Sequence, residues 1–169
     1  MKNIIKWFGI IAGASLAGVL LPALYCNVAD TIRHNRKLER MKEAFSSLRH
    51  PAGTARITLK KKVGLLSGNG NHCDYFVGEL RSYSGDTNAV GEWYKGLKVK
   101  GPDGSLYGLD VLFLKDGDFT DPDAGWRLPY CCDEPSEWGY ETESWRKDFY
   151  IVFCFLGGFE ESGGDWRCR

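Results

Sequence analysis

The passage Asn71-His72-Cys73-Asp74 contains the residue types that thiol chemistry requires. A cysteine nucleophile needs a neighbouring base to take its proton and a third group to orient that base. On a β-strand, consecutive side chains point to opposite faces, so His72 would face away from Cys73. The other histidines, His34 and His50, belong to a separate helical segment and its end. We therefore expect a buried Cys73 and no catalytic residues. A thiol hydrolase using Cys73 is the alternative, and it would need a loop that leads into a helix here.

Two candidate metal motifs lack the spacing that their metals require. A structural zinc site expects paired ligands such as C-x2-C, whereas Cys131 and Cys132 are adjacent. The run 116–123 is rich in Asp, but aligning its first residue with an EF-hand loop puts Asp121 where Gly is required and Arg127 where Glu is required. We expect no metal and no other cofactor. An irregular calcium loop is the alternative to a solvated acidic turn.

The cysteines predict a disulfide near the C-terminus. An odd count of five lies outside the N-terminal apolar segment, so internal pairing cannot be complete. In an oxidising compartment we expect a bridge from Cys131 or Cys132 to Cys154 or Cys168, which would contribute roughly 3 kcal/mol by closing a loop. In a reducing compartment the same residues would fill space in the core.

Residues 51–169 are sufficient for one soluble α+β domain, which begins at a boundary marked by Pro51. Alternating apolar residues predict strands over 55–66 and 72–83, joined by an Asn-Gly turn, with a bulge near Gly78. Apolar residues at helical spacing (Val90, Trp93, Tyr94 and Leu97) predict a helix capped by Asp86 or Thr87.

Three further strands are expected, over 106–115, over 148–159 and around 166–168. Short connections between strands favour an antiparallel sheet covered by one or two helices. The fold class is therefore α+β: an N-terminal transmembrane helix followed by a small antiparallel sheet domain.

The first 26 residues predict a transmembrane signal anchor. The run Ile4–Cys26 is apolar except for Lys6, and about 20 such residues can span a bilayer as a helix. A cleaved signal peptide fits less well, because cutting at the best small-residue pair would leave an apolar new terminus. Lys and Arg beyond the span favour a cytoplasmic domain, but a short charged start is also the form of a signal anchor that exports the domain behind it. We expect the exported orientation: a single-pass protein of the inner (cell) membrane with its domain on the extracytoplasmic side.

Residues 27–50 predict a basic amphipathic helix next to the membrane. Its apolar stripe consists of Leu38, Met41, Phe45 and Leu48. The stripe is expected to pack against the protein's own domain; a coiled coil with a second copy and a helix resting on anionic lipid are the alternatives.

The charge is divided along the chain, although the net charge is zero. Residues 1–50 carry +5, residues 51–109 carry +3 and residues 110–169 carry −8. Zero net charge argues against a nucleic-acid partner, which would need a basic surface. The long segment 116–147 combines Trp and Tyr with carboxylates, as interfaces with aromatic anchors and an acidic rim do. Its candidate binding residues are Trp126, Tyr130, Glu134, Glu137, Trp138, Tyr140 and Glu141.

These observations predict a membrane-anchored binding protein that is not an enzyme. Its acidic, aromatic segment would contact a cationic protein partner, as an immunity or inhibitor protein would. A structural or accessory subunit of a membrane complex, recruited through Gly9, Gly13 and the stripe over 38–48, is the alternative of another class.

Overall fold

The computed structural model describes residues 2–114 and 149–169, with side chains from residue 20 onward and at residues 15 and 18. Its elements are one long helix, a four-stranded antiparallel sheet, a short second helix and a two-stranded sheet. The α+β class is therefore confirmed. Within these described residues, no helix is both long enough and apolar enough to cross a membrane.

Helix α1 runs without a break from Lys2 to Ser46 and contains Pro22. The segments 4–26 and 27–50, which the sequence predicted as a membrane helix and a following amphipathic helix, fall in this one element as far as Ser46. The stripe of Leu38, Met41 and Phe45 is buried in the domain core, and Leu48 packs against it. The interpretation that the stripe packs on the protein's own domain is confirmed. The core of the domain thus includes side chains that precede residue 51.

The main sheet has the strand order β1-β2-β6-β5. Strands β1 (Thr54–Gly64) and β2 (His72–Tyr83) form a hairpin, and β6 (Phe149–Glu161) lies between β2 and β5 (Asp110–Leu114). Strand β2 is buried along nearly its whole length, and β6 is buried from Phe149 to Leu156 except for the half-buried Phe155. Central position in the sheet explains why both strands are apolar on both faces.

Helix α1 and the second helix cover one face of this sheet. Helix α2 (Thr87–Tyr94) is capped by Asp86, whose side chain accepts a hydrogen bond from the backbone N of Asn88 at 2.9 Å, as predicted. It buries Val90 and Tyr94, whereas Trp93 is 46% exposed and does not belong to the buried face that the sequence suggested.

A second buried cluster lies on the opposite face of the sheet. Its strand residues alternate with those of the first cluster, because successive side chains of a strand point to opposite faces. Its buried members are Leu66, Phe76, Leu80, Leu112, Leu114, Phe149, Ile151 and Phe153. The predicted bulge at Gly78 is wrong: the register of β2 shifts against β6 between Cys73 and Tyr75 instead. Phe76 and Leu80 lie on one face with Gly78 between them, so no change of parity is needed.

Two other predicted strands need correction. The segment expected as one strand over 106–115 divides at Leu109 into β4 (Leu106–Gly108), which pairs with β3 (Lys98–Lys100), and β5 of the main sheet. The last segment, Trp166–Cys168, is a single 3₁₀ turn. Asp165 caps this turn by accepting a hydrogen bond from the backbone N of Arg167 at 3.1 Å, which favours a turn over a strand.

Candidate functional site

The seven residues that the sequence predicted as a binding surface, from Trp126 to Glu141, lie outside the described residues. The two strands on either side of these residues are described. Strand β5 ends at Leu114 and β6 begins at Phe149, and these two residues are directly paired across antiparallel strands. The 34 residues between them therefore leave and rejoin the sheet at one point.

The passage Asn71–Asp74 begins strand β2, and Asp74 organises the loop before it. The fully buried carboxylate of Asp74 accepts hydrogen bonds from the backbone N of Leu66, Ser67 and Gly158, each at 2.7 Å. The Nε2 atom of His72 contacts the Ser67 carbonyl oxygen at 3.0 Å. Asp74 and His72 thus fix a turn, which is a structural role.

Cys73 is bonded to Cys168, so the predicted pairing of Cys168 with Cys131 or Cys132 is wrong. The two cysteines are 95 positions apart, and the 3₁₀ turn brings Cys168 against the start of β2. Cys154, the other predicted partner, is a free buried thiol whose pKa burial raises to about 12. The bond ties the C-terminal turn to the start of β2.

His34 of helix α1 lies beside this disulfide and is completely buried. Its Nδ1 atom is 2.9 Å from Oδ2 of Asp165 and 3.2 Å from Sγ of Cys73. The four residues His34, Cys73, Asp165 and Cys168, here called the buried quartet, each place a potential ligand atom within 4.8 Å of the others.

The charges around the quartet are compensated. Burial alone would raise the pKa of Asp165, but hydrogen bonds from Arg167 and His34 outweigh it and hold that pKa well below its usual range. The guanidinium of Arg167 binds both carboxylate oxygens, at 2.7 and 3.0 Å. Beyond His34, Oε1 of Glu160 lies 3.6 Å from Nε2, and Glu160 also accepts from Lys37 and Tyr75.

The quartet does not have the geometry of a thiol hydrolase in this state. Cys73 carries no thiol while it is bonded to Cys168, and it is completely buried. Both Cys73 and Asp165 approach the same nitrogen of His34, whereas a nucleophile–base–orienter relay uses the two ring nitrogens separately.

His34 was not predicted as a neighbour of Cys73, although its position in the sequence contains a signal. Position 34 precedes Leu38 by four residues and Met41 by seven, so it continues the same apolar stripe. A histidine on that stripe has to point into the domain.

A second buried polar network surrounds Glu79. Its carboxylate is bound by Arg81 at 2.5 Å and lies 3.6 Å from Nε2 of His50. The Nδ1 atom of His50 contacts the hydroxyl of Tyr94 at 2.8 Å, and this hydroxyl contacts that of Tyr150 at 2.9 Å. Burial lowers the pKa of His50, with a contribution from Arg81, against the opposite effect of Glu79.

Among the described side chains of helix α1, Asn27 and Asp30 are the first along the chain to form hydrogen bonds with the domain. The amide of Asn27 donates to the carbonyl of Gly164, and Asp30 accepts from the backbone N of Gly164 at 2.5 Å. Around and before these contacts the helix exposes large apolar side chains, namely Leu20, Leu21, Leu24, Tyr25, Val28 and Ile32.

Comparisons with known proteins gave no match to a protein-family model, a curated protein or a solved structure.

Proposed function

We propose that the protein is a membrane-anchored binding protein, in which the segment 116–147 contacts a cationic protein partner and helix α1 holds the domain at the inner membrane. The observation that carries the binding role is the pairing of Leu114 with Phe149. A segment that leaves and rejoins a rigid sheet at one point can present side chains without disturbing the fold. Segments of this length between paired strands are uncommon unless they have a function.

The composition of the segment favours a cationic partner. It contains nine carboxylates and three basic side chains, so it carries a net charge of −6. Trp and Tyr are the side chains that most often anchor protein interfaces, and a surrounding acidic rim accelerates encounter with a basic surface. An immunity or inhibitor role would require only this scaffold and a complementary face.

The membrane anchor is supported by where the contacts of α1 begin. The apolar run Ile4–Cys26 ends where Asn27 and Asp30 bind the turn at Gly164. Leu21 is 65% exposed and Tyr25 is 74% exposed, which is costly in water and favourable at the boundary of a bilayer. The Cys73–Cys168 disulfide supports an extracytoplasmic domain, because such bonds persist in oxidising compartments.

A pair of matched double variants tests the binding role. The dipeptide Glu-Trp occurs in the segment as Glu137-Trp138 and on helix α2 as Glu92-Trp93. The full-length protein with E137K and W138A should recover its partner from detergent-solubilised membranes at least tenfold less well than the wild type. The same changes at Glu92 and Trp93, which are exposed, should leave recovery unchanged.

Raising the ionic strength should weaken the wild-type interaction, since an acidic surface binding a basic one is screened by salt. Equal recovery by the wild type and both double variants would show that the segment is not the interface.

A further inference from the structure

The buried quartet contains more chemistry than a structural disulfide uses. A disulfide needs only two cysteines of suitable geometry. Here a histidine and an aspartate, each completely buried, lie against the two sulfurs. Asp165 is paired with Arg167, and the imidazole of His34 beside the sulfurs is a metal ligand that the disulfide itself does not need.

We propose that the buried quartet is a zinc site when the Cys73–Cys168 bond is reduced, with His34 and Asp165 as the other two ligands. Two thiolates, one imidazole and one carboxylate form a donor set typical of tetrahedral Zn²⁺. This inference does not depend on the proposed membrane and binding roles.

The distances suit a tetrahedral ion. With metal–ligand distances of about 2.0 to 2.3 Å, the ligand atoms of a tetrahedral zinc site lie roughly 3.3 to 3.8 Å apart. The Nδ1 atom of His34 is 3.2 Å from Sγ of Cys73 and 2.9 Å from Oδ2 of Asp165. These two distances need to change by only a few tenths of an ångström, whereas the two sulfurs, which are bonded to each other, have to move apart by more than about an ångström after reduction. The four ligand atoms lie within 4.8 Å of one another before any such movement.

The surroundings also balance the charge of the site. Two thiolates and the Asp165 carboxylate contribute three negative charges, of which Zn²⁺ neutralises two and the bound Arg167 guanidinium the third. The other nitrogen of His34 faces Glu160 at 3.6 Å, in the position of the carboxylate that orients a metal-bound histidine.

The exchange between the two states balances. A phosphine reductant and water convert the disulfide into two thiols, and the phosphine leaves as its oxide. Zn²⁺ then displaces one proton from each thiol, while the proton on Nδ1 of His34 moves to Nε2. Three elements of the fold supply the ligands, so metal binding would hold the reduced protein together as the disulfide holds the oxidised one.

The test uses the full-length chain in detergent, with Cys26, Cys131 and Cys132 changed to Ser so that other cysteines do not compete. After phosphine reduction without oxygen, Co²⁺ is titrated in as a spectroscopic substitute for Zn²⁺. We expect one Co²⁺ per chain, a thiolate-to-cobalt absorption band, displacement by Zn²⁺ and release of two protons. The oxidised form of the same chain should bind none.

Two variants then assign the ligands. H34Q should weaken Co²⁺ binding at least tenfold, whereas H72Q, at the partly exposed histidine next to Cys73, should not change it. C168S removes one of the two thiolate ligands, so the thiolate-to-cobalt band should not reach its full intensity. The comparison of the reduced and oxidised forms changes none of the four proposed ligands, so it decides the question even if H34Q fails to fold. If the reduced chain binds no Co²⁺, or binds it equally well with C168S, the quartet holds only a structural disulfide.

Discussion

His50 is the side chain through which pH should act most directly on stability. Folding places its ring against the hydroxyl of Tyr94 and 3.6 Å from the carboxylate of Glu79. Arg81 binds the same carboxylate at 2.5 Å, and Arg56 lies 3.6 Å from it. Burial and the positive charge of Arg81 lower its pKa. The unfolded chain therefore takes up a proton near pH 6.5 that the folded protein resists.

Acidification through this range should destabilise the fold, and H50Q should reduce that effect. Because the unfolded state binds more protons, the free energy of unfolding falls as the pH drops below about 6.5. Urea midpoints compared between about pH 7.5 and pH 5.5 measure the loss. The difference should be smaller in H50Q. An equal difference in wild type and H50Q would exclude His50 as its source.

The cysteines give a second prediction at this scale. In the native oxidised protein, Cys73 and Cys168 should resist alkylation until a reductant is added, and a proteolytic digest should contain their linked peptides. Loss of this bond should lower stability by roughly 4 to 5 kcal/mol, the chain-entropy value for a loop of about 100 residues. Peptides linking Cys131 or Cys132 to Cys168 would contradict the pairing.

The identity of the quartet was only partly predictable from the sequence. Burial of Cys73 followed from its place on an alternating strand, and this prediction is confirmed. Its partner did not follow, because 95 positions separate the two cysteines and nothing local indicates that a C-terminal turn reaches β2. His34 was predictable in principle, since its spacing from Leu38 and Met41 places it on the apolar stripe of α1.

At the scale of elements, strands β2 and β6 pack closely at Gly78, where there is no room for a larger side chain. A Cβ atom added at Gly78 would lie 2.8 Å from Cβ of Phe153 and 2.9 Å from Cζ of Phe76. The ring of Phe76 thus lies over the glycine, and it packs on Phe153 with centroids 5.8 Å apart.

Two glycine-to-alanine variants should have opposite effects. G78A should destabilise the protein by about 1 to 3 kcal/mol, because the new methyl group overpacks this contact. G91A, in the middle of α2, should stabilise it by about 0.5 to 1 kcal/mol, since the nearest atom to its Cβ is 3.9 Å away and alanine favours a helix. Chemical denaturation measures both, and a stable G78A would show that β2 and β6 can separate at this point.

Element type was more predictable than the way elements combine. Strand β2 and the cap of α2 are where the sequence placed them, because alternation and capping are local signals. The segment expected as one strand over 106–115 gave no local sign of its division, since both β4 and β5 are compatible with a single apolar run. Membership in different sheets is decided by partners distant in the sequence.

At the scale of the whole molecule, one helix joins the proposed anchor to the core. Met41 and Phe45 of α1 are completely buried in the domain, and Asn27 and Asp30 bind the turn at Gly164. Because the helix is continuous through these contacts, the proposed anchor and the domain have little freedom to move relative to each other. The point where the segment joins the sheet, between Leu114 and Phe149, would then lie at a fixed distance from the bilayer.

The most direct test of the central claim is alkaline carbonate extraction of membranes from a bacterium that expresses the full-length chain. Intact protein should stay in the membrane pellet and enter solution only with detergent, because in the proposed topology the apolar run Ile4–Cys26 is inserted in the bilayer. A variant with L20K and L24K should shift toward the supernatant. Intact wild-type protein released by carbonate without detergent would contradict the account.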